Sequence, residues 1–243
     1  AKYLKPVVLE LGGKAPLVVL DDADVEDAVN GAAFGCFANS GQICMSTERI
    51  IVDQKIADEF AKKFADKARN LPLGDPRKPE PVVLGSVIGM STVEHCNALV
   101  DDALAKGARR RCGGKADSTL MPATVLDHVT PAMRIYHEET FGPVKCIVRV
   151  KNTEEAIACA NDNEYGLSAA VFGKDIARAF NVARKIDSGI CHVNGPTVHD
   201  EAQMPFGGVK GSGIGRFGGK AGIAEFTELR WVTVQTTPRH YPF

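Results

Sequence analysis

The stretch KPVVLELGGKAPLVVLDDADVEDAVNGAAFGC, residues 5–36, decides how the rest of the chain is read. Two β-rich apolar runs, 5–11 and 16–20, flank Gly12-Gly13. Asp21, Asp22 and Asp24 then offer helix N-caps, and Val25, Ala28, Val29, Ala32, Ala33 and Cys36 recur at helical spacing. Strand followed by helix repeats outward from there. Strand 49–52 leads to a helix with the stripe Ile56, Phe60, Phe64 and Ala68, and another helix covers 92–106. A short basic strand lies between Gly107 and Gly113-Gly114; strand 144–150, helix 153–163, strand 168–172, helix 176–186 and strand 190–193 follow. Residues 72–81, with four prolines, read as an irregular connection. The pattern predicts an α/β fold: a mostly parallel sheet with helices on both faces. Residues 230–236 read as a lone terminal strand with no obvious local partner.

Composition narrows the function. The 243 residues are 44% hydrophobic and 24% charged, ordinary values for a core-forming protein. Twenty-nine basic residues against 30 acidic ones give a formal charge of −1, without the electrostatic footprint of a nucleic-acid or polybasic membrane binder. The longest apolar runs are far too short to span a bilayer. The seven cysteines are dispersed, odd in number and lack a CxxC pair, so neither a disulfide framework nor a metal ribbon is expected. Such thiols fit a reducing, cytoplasmic setting. The chain opens Ala1-Lys2-Tyr3 without an initiator Met and is read as part of a longer protein.

Four segments carry residues able to do chemistry. In Ser40-Gly41-Gln42-Ile43-Cys44, a thiol follows a break between helix and strand, where a loop and its N–H groups can present a nucleophile; a small core thiol is the plainer alternative. In Glu10-Leu11-Gly12-Gly13-Lys14, a carboxylate closes an apolar strand, placing it at a sheet's carboxyl edge as a candidate general base; a surface acid paired with Lys14 is the alternative. The glycine pair marks either a close backbone approach or a turn. In Glu138-Glu139-Thr140-Phe141-Gly142-Pro143, a carboxylate can accept from a ribose while the Phe covers a ring, or both acids are simply solvated. The glycine-rich segment from Pro205 to Gly213 lacks the GxxxxGK[ST] phosphate-loop spacing, which leaves a loop packed on a pocket with Phe206 toward a ligand.

Taken in this order, the four segments resemble the aldehyde dehydrogenase family. Glu10 with LGGK is similar to its general-base motif, and Gly41-Gln42-Ile43-Cys44 to its nucleophile motif, with the family's separation of 34 residues. Glu138 to Pro143 and Pro205 to Gly213 are similar to its EExFGP and PFGGxxxSG segments. The resemblance runs from residue 1 to about 235. It implies that Cys44 attacks an aldehyde, that Glu10 activates water, and that the cofactor is NAD or NADP. Glu139 would hold the nicotinamide ribose, with Phe141, Leu11 and Gly12 beside the ring. Because members that transfer the acyl group to coenzyme A do not need that base, Glu10 implies the acid-producing kind. Residues 1–11 would be the last strand of the cofactor domain, 12–228 the catalytic domain, and 229–243 an oligomerisation strand and tail in a homodimer or homotetramer.

The segments 44–49 and 192–201 resemble salicylaldehyde and vanillin dehydrogenases, which implies an aromatic aldehyde on Met45, Phe206 and Met204. Two competing readings are a cysteine hydrolase pairing Cys44 with His95 or His199, and an inert binding module of the same fold.

Overall fold

Short runs of Val, Ile, Leu and Ala with no polar alternation need cover on both sides. In a computed structural model of the chain, which describes residues 2–243, they receive it. The elements are, in order, β1 (Leu9–Glu10), β2 (Ala15–Val19), α1 (Val25–Phe37), β3 (Thr47–Asp53), α2 (Ala57–Arg69) and α3 (Met90–Ala105). Next come β4 (Arg109–Cys112), β5 (Thr124–Asp127), α4 (Arg134–His137), β6 (Val144–Val150), α5 (Thr153–Asn161), β7 (Tyr165–Gly166) and β8 (Ser168–Phe172). The last are α6 (Ile176–Ala183), β9 (Ile190–Val193), β10 (Val209–Lys210), β11 (Gly213–Ile214) and α7 (Gly219–Glu225). A seven-stranded sheet runs β4-β5-β6-β3-β2-β8-β9, parallel except where β4 meets β5.

Successive residues of each strand serve opposite cores. Leu17, Val19, Ile50 and Val52 pack with Ala28 and Ala32 of α1 and Phe60 and Phe64 of α2. Val18, Ile51, Val148 and Val171 pack with Leu99 of α3, Ala156 of α5 and Val182 of α6. Helix starts follow the capping residues: Asp24 accepts from the Glu26 and Asp27 N–H groups, and Asn152 and Asp175 do the same for α5 and α6.

Several expectations need correction. Of the expected strand 5–11, only Leu9–Glu10 pairs, antiparallel to β11 and outside the main sheet. Pro6 brings no N–H to such a ladder. Helix 153–163 stops at Asn161, because the Arg49 guanidinium takes the carbonyls of Cys159, Ala160 and Asp162 at its end. Helix 176–186 stops at Ala183, and its last residues tighten into turns bonded Lys185 to Val182 and Ile186 to Ala183. Residues 230–236 form no strand; their backbone finds no partner among the described residues, and Trp231 is 90% exposed. Strand β5 escapes sequence reading because it is four residues long and bounded by Thr and Asp. Among the described residues, no helix is long and apolar enough to cross a membrane.

Candidate active site

Parallel strands bring the loops that precede them to one edge. The segments before β2, β3 and β6 carry Glu10 to Lys14, Gly41 to Ser46 and Glu138 to Pro143, and they meet at the amino edge of the seven-stranded sheet. This corrects the expectation of a carboxyl edge for Glu10: β1 ends there, but β1 is not part of that sheet.

The nucleophile candidate sits on a tightly wound loop. After α1, Asn39 and Ser40 adopt φ of 50° and 56°, and Gly41 of 74°. A Cβ on Gly41 would strike the carbonyl of Gly142. Ser46 N–H closes the turn on the Ile43 carbonyl at 2.8 Å. Cys44 is half-buried there, close to its own N–H and that of Met45. Burial pushes the thiol up, the charges of Glu10 and Glu139 push it further, and the two N–H groups oppose them. Cys36, Cys96, Cys112, Cys146 and Cys159 are buried, whereas Cys44 keeps part of its surface open.

Glu10 is delivered by a clasp. It pairs with Gly213, Leu11 N–H donates to the Ser212 carbonyl at 3.1 Å, and Ser212 Oγ donates to the Gly12 carbonyl at 2.7 Å. Gly166 N–H in turn donates to Ser212 Oγ at 3.0 Å. The glycine-rich segment therefore works as a fastener. A Cβ on Gly213, whose φ is 144°, would meet the Leu9 carbonyl. Both carboxylate oxygens of Glu10 are shielded from water and have no hydrogen-bond partner among the described residues. Burial raises this carboxyl, and the charge of Arg216 opposes the rise. Lys14 is not its partner, because that ammonium goes to Glu48 at 2.8 Å.

The glycine pair proves to be an approach rather than a mere turn. A Cβ on Gly13 would collide with the carbonyl oxygen of Cys44, so glycine is what lets the two segments touch. Gly13 N–H donates to Glu139 Oε1 at 2.7 Å, and a Cβ on Gly12 would stand 2.7 Å from Glu139 Oε2. Of the adjacent acids, Glu138 turns outward to Arg134 at 2.6 and 2.8 Å, while Glu139 turns inward and is raised by burial. Phe141, at φ 46°, is 40% exposed two residues on. Leu11 is also exposed.

The residues expected to face substrate are arranged less uniformly. Met45 is 9% exposed and contributes its carbonyl, which accepts from Thr197 Oγ1 at 2.7 Å. Phe206 is half-buried and bridged to Phe217. Met204 is exposed and lines a cavity of about 550 Å³ with Cys191, His192 and His199. His95 is held by the Glu139 carbonyl at 2.9 Å, and the His199 ring lies 5.1 Å from that of His192. Neither imidazole is held against the Cys44 sulfur among the described residues, so the cysteine hydrolase reading gains no support here.

Sequence reading missed Glu48, Lys145 and the partnership of Lys14 with Glu48. One numerical signal was present: Lys14 and Glu48 are 34 residues apart, the same offset as Glu10 and Cys44.

A family profile described as "Aldehyde dehydrogenase family" matches residues 1–232. A vanillin dehydrogenase of Pseudomonas fluorescens is 58% identical over 242 residues, which is 100% of this chain and 50% of that protein. The crystal structure of a salicylaldehyde dehydrogenase from Pseudomonas putida G7, complexed with salicylaldehyde, is 53% identical with a TM-score of 0.94 over 97% of this chain and 49% of that one. An NADP-dependent glyceraldehyde-3-phosphate dehydrogenase from Bacillus halodurans C-125, complexed with NADP, is 40% identical with a TM-score of 0.90 over 93% and 47%. The chain thus spans about half the length of the relatives it matches. With that profile spanning residues 1–232 and a relative 58% identical along the whole chain, the chain belongs to the aldehyde dehydrogenase family.

Proposed function

We propose that the chain is the catalytic portion of an enzyme that oxidises an aromatic aldehyde to its acid with NAD or NADP. One observation carries the reading: a half-buried thiol, Cys44, in the field of Glu10, whose two oxygens are buried and without a hydrogen-bond partner among the described residues. A structural carboxylate in that position would be hydrogen-bonded. One kept free is suited to take a proton.

In this reading, Cys44 gives up its proton and its sulfur adds to the aldehyde carbon, forming a thiohemiacetal. The Met45 and Cys44 N–H groups lie beside the sulfur, where they favour developing negative charge. NAD or NADP, when bound beside Glu139 and Phe141, would accept the hydride that the thiohemiacetal carbon loses in becoming a thioester. Glu10 then takes a proton from water, hydroxide adds to the thioester carbon, and Cys44 leaves as thiolate with release of the acid. The raised basicity of Glu10 suits that task. Glu139, Gly12 and Phe141 fit one end of a dinucleotide: a carboxylate to accept ribose hydroxyls, a glycine whose missing Cβ lets that carboxylate lie against the backbone, and a partly exposed ring. The vanillin and salicylaldehyde dehydrogenases among the relatives support an aromatic substrate.

Residues 1–11 would close the cofactor domain, and 229–243 would add a strand to another subunit's sheet. Strand β9 ends the sheet order with one edge unpaired. A homo-oligomer and a cytoplasmic setting complete the proposal.

The test uses the full-length enzyme with salicylaldehyde and benzaldehyde, following absorbance of the reduced nicotinamide. Cys44→Ala is expected to abolish oxidation, and Glu10→Gln to keep a single-turnover burst while steady-state turnover falls about 100-fold or more. Equal steady-state rates for Glu10→Gln and the parent would remove Glu10 from the mechanism.

A further inference from the structure

Beneath the thiol and its carboxylate lies a set of charges that none of these steps uses. Glu48, the second residue of β3, is buried and accepts from Lys14 Nζ at 2.8 Å, Lys145 Nζ at 2.6 Å and the Thr140 N–H at 2.9 Å. Lys145 Nζ also lies 3.1 Å from Ser46 Oγ, which donates to the Gly35 carbonyl at 3.0 Å. Lys14 Nζ reaches Thr140 Oγ1 at 3.4 Å. Both lysine side chains are fully buried. Assembling three charges away from water is costly, and apolar residues of similar volume would fill the space at least as stably. Stability alone therefore does not account for the trio.

Its connectivity does. Lys14 follows Gly13, the residue that touches the Cys44 carbonyl and donates to Glu139. Thr140 follows Glu139, and Ser46 stands two residues after Cys44. One carboxylate thus ties the three chain segments on which the proposed chemistry depends. Two ammoniums against one carboxylate leave a surplus positive charge. Lys14 and Lys145 pull the half-buried Glu139 carboxyl down, against the upward push of its burial and of Glu48.

We propose that Glu48 is a positioning residue: with Lys14 and Lys145 it holds the Cys44 turn, the Glu10–Gly13 segment and Glu139 in one register. In doing so it sets both the reactivity of the thiol and the hold of Glu139 on the cofactor ribose. The inference rests on the function proposed above and deepens it.

The test has two readouts on Glu48→Gln and Lys145→Met. The first is the rate at which iodoacetamide alkylates Cys44 in this chain, read by mass spectrometry across pH at a temperature where circular dichroism shows the fold intact. The second is the KM for NAD⁺ or NADP⁺ and kcat in the full-length enzyme. Glu48→Gln keeps the side-chain shape but leaves two ammoniums without their carboxylate. It is expected to change the alkylation rate at least fivefold and to raise the cofactor KM about tenfold, more than it lowers kcat. Lys145→Met leaves a balanced Lys14–Glu48 pair and folds more readily. By cutting the link to Ser46 it is expected to alter the alkylation profile with less effect on the cofactor KM.

A purely structural role would lower only the unfolding temperature. Folded variants that match the parent within twofold in alkylation profile and cofactor KM would overturn the proposal, and if Glu48→Gln does not fold, Lys145→Met decides alone. A parent enzyme that shows no aldehyde-dependent cofactor reduction would sink the proposed function instead, with the alkylation comparison still deciding the role of Glu48.

Discussion

Cys44 and Glu10 illustrate how far single residues can be read. Their types and their separation of 34 are visible in the sequence, because a nucleophile and a base are defined by chemistry and offset. Their electrostatics are not, because these depend on burial and on charges brought in by other segments. The thiol is raised first by burial and then by Glu10. Alkylation of Cys44 is therefore expected to rise steeply only at alkaline pH. Glu10→Gln, which removes a negative charge, should shift that profile to lower pH; an unshifted profile would mean that the two groups do not interact. Glu48 offers a second pH-dependent outcome. Burial pushes its carboxyl up, but the ammoniums of Lys14 and Lys145 outweigh this and hold it at about 2, against the ordinary 4.5. The unfolded chain binds a proton there that the native one does not, so the stabilisation present above 4.5 is lost as pH falls toward 2. Glu48→Gln should flatten that window in acid-denaturation curves and lower stability by about 3–5 kcal/mol, the usual cost of breaking a buried ion pair.

Elements divide along the same line. Strands 144–150, 168–172 and 190–193 appear with the expected bounds; the first two are β-branched and small apolar runs buried on both faces of a parallel sheet, and the third is its half-buried edge. The run 230–236 has comparable composition and forms nothing, since strand propensity is realised only against a partner. The clasp formed by β1, β11 and Ser212 was equally hidden: two-residue strands carry no periodicity, and glycine-rich text does not say what it fastens. Ser212→Ala leaves the Gly166 N–H and the Gly12 carbonyl without their hydroxyl partner. It should cost about 1–3 kcal/mol by chemical denaturation. Faster amide exchange at Leu11 should accompany the loss, whereas unchanged exchange there would show that the clasp holds without the hydroxyl.

At the scale of the whole molecule, the apolar side chains that find no core mark where the chain expects company. Leu229, Trp231, Val232 and Val234 are exposed beyond α7 and lie outside both hydrophobic cores. Deleting residues 229–243 should leave the unfolding temperature of the sheet within a few degrees, because its packing is untouched. The same deletion in the full-length enzyme should reduce the mass measured by light scattering to that of a smaller assembly. An unchanged mass would move the oligomer contact elsewhere.

The hydroxyl of Ser212 grips a carbonyl 200 positions earlier in the chain, and this separation sets an order of events at the ribosome. Once Cys44 has been made, the residues that lock its acid in place emerge only after a further 168 have been added (212 less 44). At ordinary translation speeds that interval is on the order of ten seconds. Throughout it the nascent polypeptide carries an oxidisable thiol whose future proton acceptor is not yet fastened, so competence arrives all at once, when the glycine-rich stretch closes.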